Sequence, residues 1–258
     1  MLLTEQQVKN CGAITLIRGR PYTGAALVTP LGAEEVDIVF TYQDRLFINV
    51  DKDGNYNNFT LLSYQPSTGI VVEEEESLDF YSKPIIYDDT LYFSGDDSTY
   101  NSEELHRYHP SMGFELIQFN SLRDRTLPSN FTIYQGNLYF SIQDDVIQLP
   151  DGFQVPGGGL YRYSSITGKM EEVIHNTPYG IGKPRELTIL NDTLYYQVDD
   201  YVHGEELWRY HPSTGAKMVA DIQPGENWNG SNIREVTKYR GALYFEADDG
   251  THGDELWR

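Results

Sequence analysis

Two short sequence patterns return along this chain at a nearly fixed interval, and only a repetitive fold accommodates that. The first is an apolar triplet: Leu46-Phe47-Ile48, Leu91-Tyr92-Phe93, Leu138-Tyr139-Phe140, Leu194-Tyr195-Tyr196 and Leu243-Tyr244-Phe245. Successive leucines stand 45, 47, 56 and 49 residues apart, and the long interval holds an insertion around residues 149–157. The second pattern follows each triplet. It is clearest in Glu104-Leu-His-Arg-Tyr-His-Pro-Ser-Met-Gly113 and Glu206-Leu-Trp-Arg-Tyr-His-Pro-Ser-Thr-Gly215. Looser copies run from Leu61 to Gly69 and from Leu160 to Gly168, and a shortened copy covers Glu255 to Arg258.

Each unit reads as four short strands, a to d. In the fourth unit, strand a is residues 185–190 and Asn191-Asp192 is a two-residue hairpin turn. Strand b follows over 193–198, rich in the Tyr and Val that strands favour. Strand c is 206–210, Pro212-Ser-Thr-Gly215 is the next turn, and strand d is 217–221. The other a–b turns are Gln43-Asp44, Asp88-Asp89, Gln135-Gly136 and Arg240-Gly241, all compatible with tight hairpins. No sustained 3.6-residue apolar period occurs. The best helix candidate is one short turn near Thr4 to Lys9.

Four antiparallel strands in every 45–56 residues is the pattern of a propeller blade. A β-sandwich of unequal hairpins gives no reason for the same two patterns to return. The expected fold is therefore an all-β, single-domain β-propeller over residues 1–258. Its five four-stranded blades cover about 36–75, 80–120, 128–175, 184–223 and 232–258. The fifth blade lacks a strand d, and Ala25-Ala-Leu-Val28 is similar to the strand at Met218-Val-Ala-Asp221. Residues 13–31 are thus expected to complete the last blade and close the ring, which removes exposed sheet edges. Leu16 to Arg18 and Leu256 to Arg258 then compete for one strand-c position.

The segments Leu194-Tyr-Tyr-Gln-Val-Asp-Asp-Tyr-Val-His-Gly-Glu-Glu-Leu-Trp-Arg209 and Leu243-Tyr-Phe-Glu-Ala-Asp-Asp-Gly-Thr-His-Gly-Asp-Glu-Leu-Trp-Arg258 resemble the ELWxxDGT (hyalin-like) repeats of bacterial proteins. Val219-Ala-Asp-Ile-Gln-Pro-Gly225 is similar to the segment that follows in that repeat. The resemblance is strongest over 194–258. In place of the repeat's D-G-T-x-x-G-T segment, this chain has Tyr-His-Pro-Ser-Thr-Gly. The resemblance implies propeller-like modules in adhesion or recognition, often on a cell surface or secreted, with no catalytic residues to carry over.

Charge narrows the partners. The chain carries 39 Asp and Glu against 19 Lys and Arg, for a formal charge of −20. That disfavours nucleic acid and anionic membrane surfaces, which select basic faces. The b–c loops, about 49–59, 94–104, 141–158, 197–206 and 246–255, hold 18 of the acids and a single base, Lys52. In a propeller these loops open on one face, so most of the net charge is expected there as a negative field. A single cysteine, Cys11, leaves no internal disulfide and no Cys-based zinc site. No stretch approaches a membrane span, and the first residues lack the pattern of a secretory signal. The expectation is a soluble chain, extracellular or on a cell surface if it is part of a longer family member.

The candidate ligand-binding residues follow from that face: Asp96, Asp97, Asp144, Asp145, Asp199, Asp200, His203, Trp228, Asp248, Asp249 and His252. His203 and His252 occupy matched loop positions. Trp228 lies among Asn and Gly in a d–a loop, as a saccharide contact would. Aspartates also make turns by capping backbone N–H groups, so any single one reads first as a turn residue and the functional reading belongs to their collective field. Asp51, Asp53 and Asn55 resemble the first half of a calcium loop, but Leu62 stands where the bidentate Glu belongs. Trp208, Trp257, His106 and Tyr161 share one slot in strand c and read as packing between blades.

No G-x-S-x-G elbow and no phosphate-cradling glycine loop occurs. Carboxylates abound, but no acidic motif is unique to one blade. The first expectation is a non-catalytic binding module with no resident cofactor, whose acidic face takes a protein or a glycan. Two alternatives remain: a glycan-acting hydrolase with carboxylates in the funnel, and an architectural module of a longer surface array.

Overall fold

The computed structural model describes residues 35–51, 59–65, 67, 69–74, 78–80, 83–97, 103–117, 127–148, 152, 154–174, 182–225 and 230–258. Among them every helix or strand is a strand, so no helix is long and apolar enough to cross a membrane. The short turn at Thr4–Lys9, Leu16–Arg18 and the ring-closing Ala25–Val28 lie outside the described residues. The chain divides into two compact units, residues 1–83 with 95–101, and residues 84–94 with 102–258.

In the first unit, β1 (Glu35–Tyr42), β2 (Arg45–Asp51), β3 (Phe59–Gln65) and β4 (Gly69–Glu74) form one antiparallel sheet in chain order. Ile48, Val50 and Leu62 are buried together on it, and Phe40 stacks on Phe47 at 4.6 Å. β5 (Leu78–Phe80) pairs with residues 95–97.

The second unit holds four sheets. β6 (Ile85–Tyr87), the first part of β7 (Thr90–Asp97), β8 (Glu103–His109) and β9 (Gly113–Ile117) make the first. β10 (Ser129–Tyr134), β11 (Asn137–Gln148), β12 (Gln154–Ser164) and β13 (Lys169–Glu172) make the second. β14 (Arg185–Leu190), β15 (Thr193–Asp199), β16 (Glu205–His211) and β17 (Gly215–Ala220) make the third. β18 (Arg234–Tyr239), β19 (Ala242–Asp248) and β20 (Asp254–Trp257) make the last, with three strands among the described residues.

The expected turns account for this meander. All five a–b pairs carry positive φ at both residues, as in Asn191 (47°) and Asp192 (54°). That is the type I′ geometry whose twist matches the flanking strands. The c–d turns close on Gly69, Gly113, Gly168 and Gly215 at φ of 80°, 78°, 64° and 73°, a region that disfavours any residue with a Cβ. Two c–d turns are also capped alike. His109 Nδ1 lies 2.7 Å from Ser111 Oγ and accepts the Ser111 N–H at 3.2 Å, and His211 and Ser213 repeat both contacts.

One recurring feature had no sequence signal. Strand a carries a bulge just after its first residue in three sheets. Asn130, Glu186 and Glu235 take φ of 54°, 55° and 56°, and the register with strand b shifts there. A bulge sharpens local twist and re-aims the adjoining side chains, here Ser129, Arg185 and Arg234.

The triplets are the core. Within the second unit, Leu138, Leu194 and Leu243 face the preceding sheet, and Tyr92, Tyr139 and Tyr195 the following one. Leu138 and Phe140 therefore pack with Tyr92 and Leu105, and Leu194 and Tyr196 pack with Tyr139 and Leu160. Leu243 and Phe245 pack with Leu207, and Tyr195 lies against that group. Trp208, Trp257 and Tyr161 pack against these clusters as expected of the shared slot, and buried His106 stacks on Phe93. Trp257 donates its indole N–H to the Ala247 carbonyl at 2.9 Å.

In two sheets of the second unit a tyrosine closing strand a latches the sheet to the next hairpin. Tyr87 donates its hydroxyl to the Gly136 carbonyl, and Tyr134 to the Asp192 carbonyl, both at 2.8 Å. Leu190 occupies the same place in the third sheet of this unit. Tyr134→Phe is expected to lower stability by about 1 kcal/mol, the usual net contribution of one such bond. Urea denaturation reads this directly, and an unchanged midpoint would show the latch to be idle.

The insertion behaves differently from expectation. Residues 141–158 read as a loop, yet β11 runs to Gln148 and β12 starts at Gln154. Their pairing continues past a register shift through Val146–Pro156, Ile147–Val155 and Gln148–Gln154. Alternating apolar residues on both sides of a turn-forming Pro-Asp-Gly extend the hairpin instead of looping it.

Candidate functional site

The b–c ends of the second unit's sheets gather the acidic residues, and backbone geometry decides what each one does. Asp199 Oδ1 accepts the Tyr201 N–H at 2.7 Å, and Asp248 Oδ1 accepts the Gly250 N–H at 2.7 Å. Asp200 Oδ1 accepts the N–H groups of Val202 and His203, while its Oδ2 lies 2.8 Å from His203 Nδ1. Asp249 repeats this with Thr251, His252 and the His252 ring at 2.7 Å. The matched Asp–His pairs thus close their own loops. The hydrogen bond from Asp200 raises the His203 pKa, and Asp249 does the same for His252 while its own carboxyl falls to about 2.

The other expected residues are placed unevenly. Asp96 and Asp97 lie in β7, and Asp144 and Asp145 lie in β11 rather than in a loop. Asp51 ends β2 fully buried. Asp53, Asn55 and Trp228 lie outside the described residues. Among the described residues no three His, Cys, Asp or Glu side chains group as a metal site.

One constellation stands apart, in the third sheet of the second unit. Glu205 opens strand c directly across from Asp199, which ends strand b. Facing residues on antiparallel strands stand about 4.5–5.5 Å apart at Cβ. Glu205 accepts from the Gln197 amide at 2.6 Å through one oxygen and from Arg185 at 3.3 Å through the other. Arg185 is the residue that the strand-a bulge re-aims. Burial pushes the Asp199 carboxyl above its ordinary range, the charges of Glu205 and Asp200 add to the rise, and the Tyr201 N–H opposes it. The Tyr201 hydroxyl is likewise pushed up to about 12, first by burial and then by Asp199 and Glu205. It stays protonated at neutral pH, a hydrogen-bond donor beside Gly182. A Cβ on Gly182 would stand 3.2 Å from that hydroxyl, and the Gly182 N–H binds the Asp199 carbonyl at 2.8 Å.

The arrangement pairs an acid that resists ionising with a carboxylate whose charge is clamped by a guanidinium. A carboxyl that burial raises beside a second carboxyl group is a usual starting point for acid–base chemistry. The last sheet carries part of the same design, since Arg234 reaches Asp254 at 2.9 Å and Glu246 at 3.1 Å. It lacks the tyrosine, because Gly250 stands where Tyr201 does. The second sheet lacks the carboxylates, with Gly158 and Gly159 in the places of Glu205 and Glu206.

Sequence reasoning passed over Arg185, Gln197, Tyr201, Glu205 and Glu206. Gln197 and Tyr201 set the fourth repeat apart, whereas Glu205-Glu206 recur as Glu103-Glu104 and Asp254-Glu255, and Arg234 stands in the place of Arg185. Glu206 is an anchor and not part of the constellation. It is fully buried and accepts the Ile222 N–H at 3.0 Å, the Gln223 N–H at 3.1 Å and the Ser231 hydroxyl at 2.9 Å. Burial raises its pKa against the pull of these three donors.

The sequence matches no protein-family model and no curated protein. Solved structures do share the fold. A puromycin-hydrolyzing peptidase of Mycobacterium tuberculosis is 11% identical with a TM-score of 0.51, over 88% of this chain and 38% of that one. An oligogalacturonate lyase of Vibrio parahaemolyticus is 14% identical with a TM-score of 0.52, over 85% of this chain and 61% of that one. This chain therefore spans less than two thirds of either. Both neighbours are propeller-type enzymes, and the described fold is a propeller-like all-β fold. That corrects the expectation of a non-catalytic module, because the solved structures that share this fold are enzymes. The reasoning behind that expectation was that no acidic motif is unique to one blade, and what distinguishes the third sheet of the second unit is Gln197 and Tyr201 rather than its acids.

Proposed function

We propose that this protein is a glycan-acting hydrolase in which Asp199 is the general acid and Glu205 the partner carboxylate. The observation that carries the reading is the cross-strand pair itself: a carboxyl whose pKa burial raises, facing a carboxylate held by Arg185 and Gln197. Glycoside hydrolysis needs this division between a proton donor and an ionised carboxylate. The tyrosine hydroxyl of Tyr201 adds a donor for a sugar oxygen.

The charge of the face selects among glycans. The b–c segments carry 18 acids and one base, so a polyuronate is repelled and a neutral or amino-sugar chain is favoured. The acidic loops also suit a basic protein, and that charge bias supports protein recognition on the same face as a second reading. With the five repeats, the reading includes a ring of five blades closed by residues 25–28.

The test is an end-product assay on neutral, amino-sugar and uronic-acid oligosaccharides. New reducing ends from the first two classes, and none from the third, are expected. Cleavage confined to uronic-acid chains with an unsaturated, ultraviolet-absorbing product would replace the hydrolase by a lyase. No cleavage of any class would overturn the reading.

A further inference from the structure

We infer that His203 is a positioning residue for the Asp199–Glu205 site: through Asp200 it holds the loop that carries Tyr201 and caps the Asp199 carboxyl. The inference rests on the proposed hydrolase. Its first support is a pair of matched loops that part at one place. Residues 199–204 and 248–253 repeat each other bond for bond. In both, the first aspartate accepts the N–H two residues on, at 2.7 Å. The second aspartate accepts two further N–H groups through Oδ1 and meets the histidine ring through Oδ2. Both loops end on a glycine at φ of 78°. The residue after the second aspartate has positive φ in each, but it is Gly250 at 77° in the last sheet and Tyr201 at 59° in the third.

The second support is what that difference costs and what it places. Glycine enters the left-handed region freely, whereas an aromatic residue is held there by its surroundings. Backbone strain of this kind gathers at functional sites. Tyr201 faces the site on two counts. Its hydroxyl lies against Gly182, whose N–H binds the Asp199 carbonyl at 2.8 Å. Its own N–H is the group that holds Asp199 Oδ1. A shift of the Tyr201 backbone therefore moves the sugar donor and the proton donor together.

The third support is the restraint itself. Asp200 is buried, and its carboxylate ties the His203 ring to the Val202 and His203 N–H groups, immediately after the strained residue. The hydrogen bond from Asp200 raises the His203 pKa, burial opposes it, and the charges of Asp200, Asp221 and Glu206 add to the rise. A hydrogen bond between ionised partners is about twice as strong as a neutral one. Without the ring, Asp200 loses that bond and the loop is free to relax toward ordinary φ.

The test compares His203→Ala with His252→Ala, the same deletion in the matched loop, on a neutral oligosaccharide. His203→Ala is expected to lower kcat/KM by at least about tenfold, mostly in kcat, because a displaced Asp199 delivers its proton poorly. His252→Ala is expected to match wild type, since its loop carries Gly250 and no part of the pair. His203→Asn keeps an uncharged donor near the place of Nδ1 and should recover part of the loss. The Tyr201 amide is expected to exchange hydrogen faster in His203→Ala while β14–β17 stay protected. Equal falls in the two alanine variants, no fall in either, or unchanged exchange at Tyr201 overturn the role and leave the hydrolase standing. Wild type inactive on the oligosaccharide overturns the hydrolase and the role with it. For a His203→Ala protein that does not fold, both readings are taken on His203→Asn. A smaller fall with faster exchange is expected there, and no change in either overturns the role.

Discussion

Asp199→Asn is expected to lower glycan hydrolysis by about a hundred- to ten-thousand-fold, the range that a positioned proton donor supplies. The amide keeps the acceptor oxygen for the Tyr201 N–H but has no acidic proton to deliver. Stability should move little, or upward. A carboxyl whose folded pKa lies above its unfolded value of about 3.9 stabilises the fold below that value and loses the contribution as pH rises through the folded pKa. Above its folded pKa Asp199 therefore adds nothing that the amide forfeits. The same direction fixes the pH profile. The protonated form is the active one, so kcat/KM falls as pH rises through the raised pKa of Asp199, and the descending limb disappears in the residual activity of Asp199→Asn. Activity retained within a factor of two would remove Asp199 from the role.

Glu206→Ala is the largest expected stability effect. Three donors converge on this carboxylate in a fully buried position: two backbone N–H groups of the segment after β17, and the Ser231 hydroxyl before β18. Removing the acceptor leaves the two backbone N–H groups unsatisfied, each costing about 1–3 kcal/mol, while the Ser231 hydroxyl still reaches the Glu205 carbonyl at 2.9 Å. The donors recover part of this by relaxing toward water, so a loss of about 3 kcal/mol is expected in guanidinium denaturation. Arg185→Ala removes an exposed ion pair to Glu205 and should lie well under about 1 kcal/mol. Equal losses in the two variants would show that Glu206 is not the anchor.

Local rules made most of the fold readable from the sequence. Asn191-Asp192 and its four counterparts specify type I′ turns through their tolerance of positive φ. Gly69, Gly113, Gly168 and Gly215 mark the ends of strand c. With both turns in place, the apolar triplets between them have one register, and strands a to d of the third sheet fall within a residue or two of expectation. The bulges at Asn130, Glu186 and Glu235 were hidden, because none is the glycine that ordinarily marks such a kink. The β11–β12 extension was misread for a different reason: the Gly157-Gly-Gly159 run looks like a flexible turn, but Gly158 serves close backbone approach to Gly182.

The site was legible only in part. Acidic residues at the b–c ends were expected, and Asp199 was among them. Sequence reasoning weighted residues that recur, such as Asp200 with His203 and Asp249 with His252. Those pairs recur because each closes its own loop. Arg185 was missed because its contact with Glu205 spans strand b, a relation that exists only once three strands are in register.

The tyrosine latches give the second unit an uneven stiffness along the chain. Tyr87 and Tyr134 fasten successive sheets at their hairpin ends. At the next junction Leu190 leaves that end to apolar contact, and the polar fastening lies at the other end, where Ser231 bonds Glu205 and Glu206. In a repeat architecture each module gains stability mainly from its immediate neighbours. The β18–β19 hairpin end should therefore exchange amide hydrogens with solvent ahead of the end held through Ser231.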